Sequence, residues 1–299
     1  LGSHFSSYAL EFTSSAPMDL HVSPVNVSGN TVDIQDSSDG AVVYFDAGVF
    51  SSAAPGPAGT AALSVADNTI RAKEAPSAGA RFRTIGFYDP SPMAFDLRLG
   101  SVVEVVGNRF NVSTQSAGPC HLLAHVPPPA GISLSDASVL RFERNTIVSV
   151  ADGVSIFGAE LPWSSATTLR SFSSNSLLSI TNNSMVMTTN SSSGDAAGSW
   201  AQPTLHIHGP FRFDSGSVLA FQNNTWTAPL SLDNVSFNAS LLALVFYDVP
   251  ECDVRQSRFL NQSGVVLVVT PTASGEGSTP STSIINFSSN HIDDSHVTM

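Results

Sequence analysis

The pattern GSVLAFQNNTWT, at Gly216–Thr227, recurs along the whole chain. Its core is Leu219, Phe221, Asn224 and Trp226, with apolar residues two apart, then asparagine, then another apolar residue. Seven further copies occur, with the polar anchors Asn30, Asn68, Asn108, Asn145, Asn183, Ser257 and Asn290. Successive anchors are separated by 38, 40, 37, 38, 41, 33 and 33 residues. Self-similarity at a nearly fixed interval predicts a repeat protein.

Each copy predicts a strand, a tight turn and a second strand. Apolar residues two apart lie on one face of a strand. The two residues before the asparagine interrupt that alternation, and asparagine tolerates left-handed backbone geometry and hydrogen-bonds locally. A third strand-like run follows in most repeats: Val42–Phe45, Arg81–Phe87, His121–Val126, Val154–Phe157, Leu205–Ile207, Leu241–Phe246 and Val265–Val269.

Three strands per repeat, each stacked on its counterpart in the next repeat, are typical of a parallel β-helix. The sequence therefore predicts an all-β fold, a right-handed parallel β-helix solenoid of about eight coils. We expect residues 1–299 to form this single solenoid, as a segment of a longer chain, because neither end shows a capping element. The eight anchors would stack as an asparagine ladder at about 4.8 Å per coil, with Ser257 in the place of one asparagine.

Composition and glycosylation motifs indicate the compartment. The formal charge of −12, with 12 Lys plus Arg, argues against nucleic acid or anionic lipid as a partner. Asn-x-Ser/Thr motifs are more frequent than chance predicts, which favours an extracellular or cell-surface glycoprotein; the alternative is a composition rich in turn residues. The candidate acceptors are Asn26, Asn111, Asn182, Asn190, Asn223, Asn234, Asn238, Asn261 and Asn286.

Cys120 and Cys252 are the two cysteines. The stacking model places them some four coils apart, about 19 Å at the strand spacing. That exceeds the Cα separation of about 7 Å that a disulfide can bridge. We therefore expect two unpaired and mostly buried thiols.

The segments between strands vary in length, whereas the strands do not. Loops rich in Pro, Gly, Ala and Ser follow the third strand, at Ser51–Thr60, Pro127–Asp136 and Pro271–Thr282. Two insertions, Thr188–Pro203 and Pro229–Ser240, come between the second and third strands. In a solenoid such loops emerge on one side and commonly form the binding surface.

The candidate chemical motifs are weak. His206 and His208 share one strand face, as do His121 and His125, but zinc wants three or four convergent ligands, so we expect no metal site. Glycoside hydrolysis needs paired carboxylates, and the one adjacent acidic pair is Asp293-Asp294. Phenylalanines at the apolar positions of the repeated phrase, such as Phe110 and Phe142, alternate with polar residues in the way that core residues of a strand do, and so do not predict a sugar-binding stripe. We expect no catalytic residue and no cofactor.

The phrases GSVVEVVGNRF, ASVLRFERNTI, GSVLAFQNNTW and TSIINFSSNHI resemble the repeats of the trypanosomatid dispersed gene family surface proteins. That resemblance implies a large glycosylated protein with a pectate-lyase-like β-helix region. The Phe-x-x-Asn copies, as at Phe142–Asn145 and Phe221–Asn224, are also similar to the polymorphic outer-membrane adhesins of chlamydiae, although the companion Gly-Gly-Ala-Ile motif is missing. Both resemblances imply surface exposure and contact with a host, and neither supplies catalytic residues.

The function that these observations favour is a non-enzymatic extracellular surface or adhesion protein, which presents variable loops and N-glycans on a β-helix. Its partner would be a host or matrix protein or a glycan. One alternative is a carbohydrate-active enzyme, a polysaccharide lyase or hydrolase, on the same fold. A second is a structural module that associates end to end in an extracellular filament.

Overall fold

The computed structural model describes residues 6–37, 39–51, 60–74, 81–87, 93–113, 120–126, 131–150, 154–159, 170–188, 205–214, 217–222, 225–226, 230–238, 252–255 and 258–259. These residues form strands and the turns between them, and none of them is helical. Every strand pairing is parallel; the strands, in chain order, are β1 (Ser6–Phe12), β2 (Met18–Asp19), β3 (Val25–Ser28), β4 (Thr31–Ser37), β5 (Asp39–Phe45), β6 (Val49–Ser51), β7 (Leu63–Ala66), β8 (Thr69–Glu74), β9 (Arg81–Phe87), β10 (Met93–Leu97), β11 (Val102–Val106), β12 (Arg109–Ser113), β13 (Cys120–Val126), β14 (Gly131–Leu134), β15 (Val139–Glu143), β16 (Thr146–Val150), β17 (Val154–Ala159), β18 (Arg170–Phe172), β19 (Leu177–Thr181), β20 (Ser184–Thr188), β21 (Leu205–Asp214), β22 (Val218–Gln222), β23 (Thr225–Trp226), β24 (Leu230–Asn238), β25 (Cys252–Arg255) and β26 (Arg258–Phe259). The prediction of an all-β chain built from parallel strands is confirmed.

The strands fall into four rows, and each row takes one strand from each successive repeat. The first row, β3-β7-β11-β15-β19-β22, and the second row, β4-β8-β12-β16-β20-β23, hold the two strands of the repeated phrase. The third row is β1-β5-β9-β13-β17-β21, and the fourth is β2-β6-β10-β14-β18-β21. The long strand β21 joins the third and fourth rows into one sheet because its first half pairs with β17 and its second half with β18.

The register follows the sequence repeat residue for residue. Val103 on β11 is the partner of Leu63 on β7 and of Leu140 on β15. Phe110 in the second row is the partner of Ile70 and of Ile147. Residues at the same phrase position therefore lie side by side, because a slip of one residue would turn the apolar side chains to the opposite face.

The core lies between the rows and is made from the apolar positions of the phrase. Leu140, Phe142 and Phe110 are fully buried, as predicted, whereas Asn111 and Val148 on the alternate positions are exposed. Aromatic rings continue the packing in the third row, where Phe45 stacks on Phe87 with ring centroids 5.7 Å apart. Each large apolar side chain contributes about 1.5–3 kcal/mol when it leaves water, so the repeated pattern is the main source of stability.

The structure differs from the prediction of three strands per repeat, since a fourth row is present. Strand β14 (Gly131–Leu134) lies inside the segment Pro127–Asp136 that the sequence predicted as a loop. Its Ile132 and Leu134 are fully buried. The strand was missed because it is short and is surrounded by Pro, Gly and Ser, which predict turns.

A second difference concerns the segment predicted as the insertion Pro229–Ser240. It contains β24, whose two halves continue the third and fourth rows next to β21. The strands on either side of the seventh polar anchor, β25 and β26, pair with the two halves of β24. The copy around Ser257 was predicted to extend the first and second rows, whereas its described strands pair with β24, and Ser257 itself lies outside the described residues.

Candidate functional site

Five predicted ladder residues form one column at the turn between the first and second rows: Asn30, Asn68, Asn108, Asn145 and Asn183. The last four are buried. The other predicted members, Asn224, Ser257 and Asn290, lie outside the described residues. The turns of neighbouring repeats are thus joined along the stack by asparagine side chains.

The bonds of Asn145 show how each step of the column is made. Its main-chain N–H and its Nδ2 both donate to Oδ1 of Asn183, at 3.0 and 3.1 Å. Its Nδ2 also donates to the carbonyl oxygen of Val105 at 3.0 Å. Its own Oδ1 accepts from the main-chain N–H of Asn108 at 2.9 Å and from Nδ2 of that residue at 3.2 Å. One buried side chain therefore satisfies polar groups of three successive repeats, which is a structural role and not a chemical one.

The left-handed residue of this turn is the one before the ladder asparagine. Gly29, Asp67, Gly107 and Arg144 have φ of 69°, 54°, 70° and 54°. Asn182, which precedes Asn183, has φ of 56°. The sequence predicted the left-handed conformation at the ladder asparagine itself, and that prediction is wrong. The asparagine is needed for its amide, and its neighbour supplies the unusual backbone.

A second column was not foreseen, and it stands at the turn that enters the first row. It consists of the buried serines Ser101, Ser138, Ser176 and Ser217, and the buried Ser51 at the end of β6 lies beside Ser101. The Oγ of Ser101 donates to Oγ of Ser51 at 2.8 Å and lies 2.6 Å from the carbonyl oxygen of Arg98. The sequence held a signal for it, since serine stands two residues before the first apolar residue in most copies of the phrase.

A chain of polar side chains runs across the outward face of the first row, and we name it the glutamate–arginine chain: Ser64, Glu104, Arg141, Glu143 and Ser179. Arg141 Nη1 donates to Glu104 Oε2 at 3.2 Å, and Arg141 Nε lies 3.6 Å from Glu143 Oε1. Ser64 and Ser179 donate to Glu104 and Glu143 at 2.9 and 2.6 Å. Two carboxylates from adjacent repeats thus meet one guanidinium, and sequence reasoning missed this because Glu104 and Arg141 are 37 residues apart in the chain.

The sequence motifs for N-glycosylation lie on outward positions where their side chains are described. Asn26 on β3, Asn111 on β12 and Asn182 in the ladder turn are all exposed. Asn234 and Asn238 lie on β24, and Asn190, Asn223, Asn261 and Asn286 fall outside the described residues. The described glycan-acceptor asparagines are therefore exposed to solvent, whereas the ladder asparagines Asn68, Asn108, Asn145 and Asn183 are buried.

The two cysteines lie in one column of the third row. Cys120 is the partner of Val154, Val154 of Leu205, Leu205 of Leu230, and Leu230 of Cys252. Four strand spacings separate them, about 19 Å. A disulfide between them within one chain is incompatible with this register, and Cys120 is fully buried.

The histidines that the sequence singled out all lie on the third row. His121 on β13 is buried, at 3% exposed, and lies in register with Ser155 on β17, which in turn is the partner of His206. His125 and His208 are both partners of Gly158. Among the side chains that the structure describes, no three His, Cys, Asp or Glu form a group that could hold a metal ion. The side chains of His125, His206 and His208 are not among those.

One exposed ion pair perturbs a titratable group. Arg98 donates to Asp96 from Nε at 3.1 Å and from Nη2 at 3.0 Å. This hydrogen bonding and the carboxylate charge raise the pKa of Arg98 above its ordinary value. Because a guanidinium is already charged at neutral pH, this shift does not change the charge of Arg98 near neutral pH.

No family model, curated protein or solved structure matches this chain. In the part of the chain that the structure describes, no helix is long and apolar enough to cross a membrane.

Proposed function

We propose that the parallel rows belong to a right-handed parallel β-helix of about eight coils, which extends over residues 1–299. The handedness follows from the strong preference of parallel strand crossovers. Support comes from the residue-for-residue register of successive repeats and from the asparagine column.

This architecture can be tested by cross-linking on the exposed face of the second row. Arg71 is the register partner of Asn111, and Asn111 is the partner of Val148. The double variant Arg71→Cys with Asn111→Cys is expected to form a disulfide because adjacent strands lie about 4.8 Å apart. The control, Arg71→Cys with Val148→Cys, spans about 9.6 Å and should stay reduced. Efficient cross-linking of the control alone would refute the stacked register.

We further propose that the protein is a non-enzymatic extracellular surface or adhesion protein that carries N-glycans and variable loops on this scaffold. The observation that carries the proposal is the division between two kinds of asparagine. Those of the column are buried and bonded, whereas the motif residues Asn26, Asn111 and Asn182 are exposed. The resemblance of the repeats to trypanosomatid surface proteins points the same way, with a host or matrix protein or glycan as partner.

Glycan occupancy after secretion tests this function. The protein would be secreted from eukaryotic cells, and each site would be mapped by mass spectrometry after enzymatic glycan release in heavy-oxygen water. We expect occupancy at Asn111, and its loss in both Asn111→Gln and Ser113→Ala, because both changes destroy the motif. Asn145, which lies in no motif, is the negative control. Failure of secretion, or secretion with all three exposed sites empty, would contradict the proposal.

The glutamate–arginine chain is the feature that would favour a carbohydrate-active enzyme instead. Two carboxylates on one face are what glycosidic hydrolysis requires. Here, however, Glu104 and Glu143 are already bonded to Arg141 and to serine hydroxyls. Cross-strand pairs of opposite charge stabilise sheets, so we assign the chain a structural role. Hydrolysis of acidic polysaccharides that disappears in Glu104→Gln and in Glu143→Gln would reverse this assignment.

A further inference from the structure

Strands β21 and β24 place an unassigned set of metal-ligating residues next to one another. Leu205, His206, Ile207 and His208 are the partners of Leu230, Ser231, Leu232 and Asp233, with no irregularity over these four positions. Apolar and polar residues alternate along both strands. The polar positions therefore share one face, and the apolar positions share the other.

The apolar residues of β21 lie in register with residues of the buried core. Leu205 is the partner of Val154, which is the partner of Cys120, and Cys120 is fully buried in the core. Ile207 is the partner of Phe157, and Phe157 that of Ala124, another core residue. His206, His208 and Asp233 accordingly occupy the face of the third row that is opposite to these core columns.

The spacings on that face suit a single ion. His206 and His208 are two residues apart along one strand, about 6.6 Å, and His208 and Asp233 are one strand spacing apart, about 4.8 Å. Two imidazoles and a carboxylate are a common protein donor set for divalent transition metals and leave coordination positions open for water or substrate. We propose that His206, His208 and Asp233 form a binding site for a divalent transition-metal ion, with zinc as the reference ion.

Neighbouring register positions limit the site to these three residues. His121 and His125 lie beyond β17, two strand spacings from β21, and the positions between them hold Ser155 and Gly158. Asp253 is the partner of Ser231, two strands from His206, and Arg255 is the partner of Asp233. Among the register partners that the structure describes, the cationic residue next to Asp233 is Arg255, which would compete with a metal for the carboxylate. The third ligand was hidden from sequence reasoning because Asp233 lies in a segment predicted as an insertion.

Metal titration of the untagged chain of residues 1–299 tests the proposal. Cobalt(II) would be used as the spectroscopic probe, and zinc would be titrated by calorimetry. We expect one equivalent to bind, with the absorption bands of a protein-bound cobalt ion. His206→Ala, His208→Ala and Asp233→Asn should each weaken zinc binding by at least about tenfold. His21→Ala and Asp136→Asn, which change exposed residues far along the chain, should bind as the wild type does.

Two further measurements guard against misfolding and against the competing ion pair. Zinc should raise the melting temperature of the wild type and not of the Asp233→Asn variant, whose circular dichroism should remain that of a β protein. Arg255→Gln should retain binding or strengthen it. A wild type that binds no metal, or an Asp233→Asn variant with undiminished affinity, would overturn the site. Neither result would bear on glycosylation, so the proposed surface function is tested separately.

Discussion

The two turns that bracket the first row solve the same problem with different side chains. At the exit turn, buried asparagines bond to one another from repeat to repeat, as Asn108 does with Asn145 and Asn145 with Asn183. At the entry turn, buried serines bond within their own turn, as Ser176 Oγ does to the carbonyl oxygen of Ser173 at 2.7 Å, and make single bonds to the next repeat, as Ser217 Oγ does by accepting from the Ser176 N–H at 3.1 Å. Both turns contain left-handed residues, such as Arg144 in one and Asn175 in the other.

The difference reflects how many hydrogen-bond donors and acceptors each side chain carries and how far it extends from the backbone. A carboxamide presents an acceptor oxygen and two N–H donors at the end of a longer side chain, whereas a hydroxyl combines one donor and its acceptor capacity in a single atom close to the backbone. The asparagine can therefore bond its own repeat and the next at once. The serine closes its own turn and reaches the next repeat through a single hydroxyl contact, as between Ser101 and Ser51, so the stacking of entry turns also uses main-chain bonds, such as Gly100 N–H to the Asp136 carbonyl oxygen at 2.7 Å.

The largest expected effect comes from breaking the asparagine column in its middle. Asn145→Leu removes the acceptor for Asn108 and the donor for Val105, and leaves those buried groups without partners. Each such group costs about 1–3 kcal/mol, so we expect a loss of about 3 kcal/mol in the free energy of unfolding. Urea unfolding of unglycosylated protein would measure it.

Asn111→Leu is the matched control for this variant, because Asn111 is exposed in the same part of the stack. Its effect should stay within about 0.5 kcal/mol, as for most surface substitutions. If both variants lost the same stability, the column would have no special role.

A smaller loss is expected at the entry turn. Ser176→Ala removes the hydroxyl that donates to the Ser173 carbonyl oxygen, a single bond within one turn. The expected loss is about 1 kcal/mol, that of one ordinary hydrogen bond. The same urea experiment measures it, and a loss as large as that of Asn145→Leu would show that the serine hydroxyl contributes as much to stability as the asparagine carboxamide.

The repeated phrase was sufficient to predict the first and second rows. Apolar residues two apart, an interrupted alternation and a constant interval determine the strand face, the turn and the register, as the pairing of Val105 with Phe142 shows. The buried asparagines follow from the same pattern. These features are local or periodic, so one chain contains enough copies to reveal them.

The fourth row and the polar contacts between repeats could not be predicted in that way. Strands such as β14 are short and lie among turn residues, so their apolar alternation has too few positions to be recognised. Arg141 meets Glu104 because strands 37 residues apart are neighbours, a relation that depends on the exact length of every intervening loop. The same applies to Asp233 beside His208, where the register and not the local sequence brings the residues together.

The left-handed position before the ladder asparagine offers a stabilising change. Arg144 has φ of 54°, whereas the equivalent residues of two other repeats are Gly29 and Gly107. A non-glycine residue with this backbone costs about 1–2 kcal/mol, partly offset by the greater freedom of glycine in the unfolded chain. Arg144→Gly should therefore stabilise the protein by about 0.5 kcal/mol. Arg109→Gly, at an ordinary strand position, should destabilise the protein. If both variants changed the free energy of unfolding in the same direction, the left-handed backbone of Arg144 would not be the cause.

The smallest expected effect is that of changing Ser138, whose comparison with Ser176 shows what a hydroxyl contributes at the entry turn. Its hydroxyl is buried, and the described residues offer it no hydrogen-bond partner. Because a buried hydroxyl without a partner is unfavourable, Ser138→Ala should cost nothing and could gain up to about 0.5 kcal/mol. Comparison with Ser176→Ala in the same urea titration isolates the contribution of the one bond by which they differ. A loss at Ser138 equal to that at Ser176 would mean that the serine column acts through packing, so that the bond to the Ser173 carbonyl would not explain its burial.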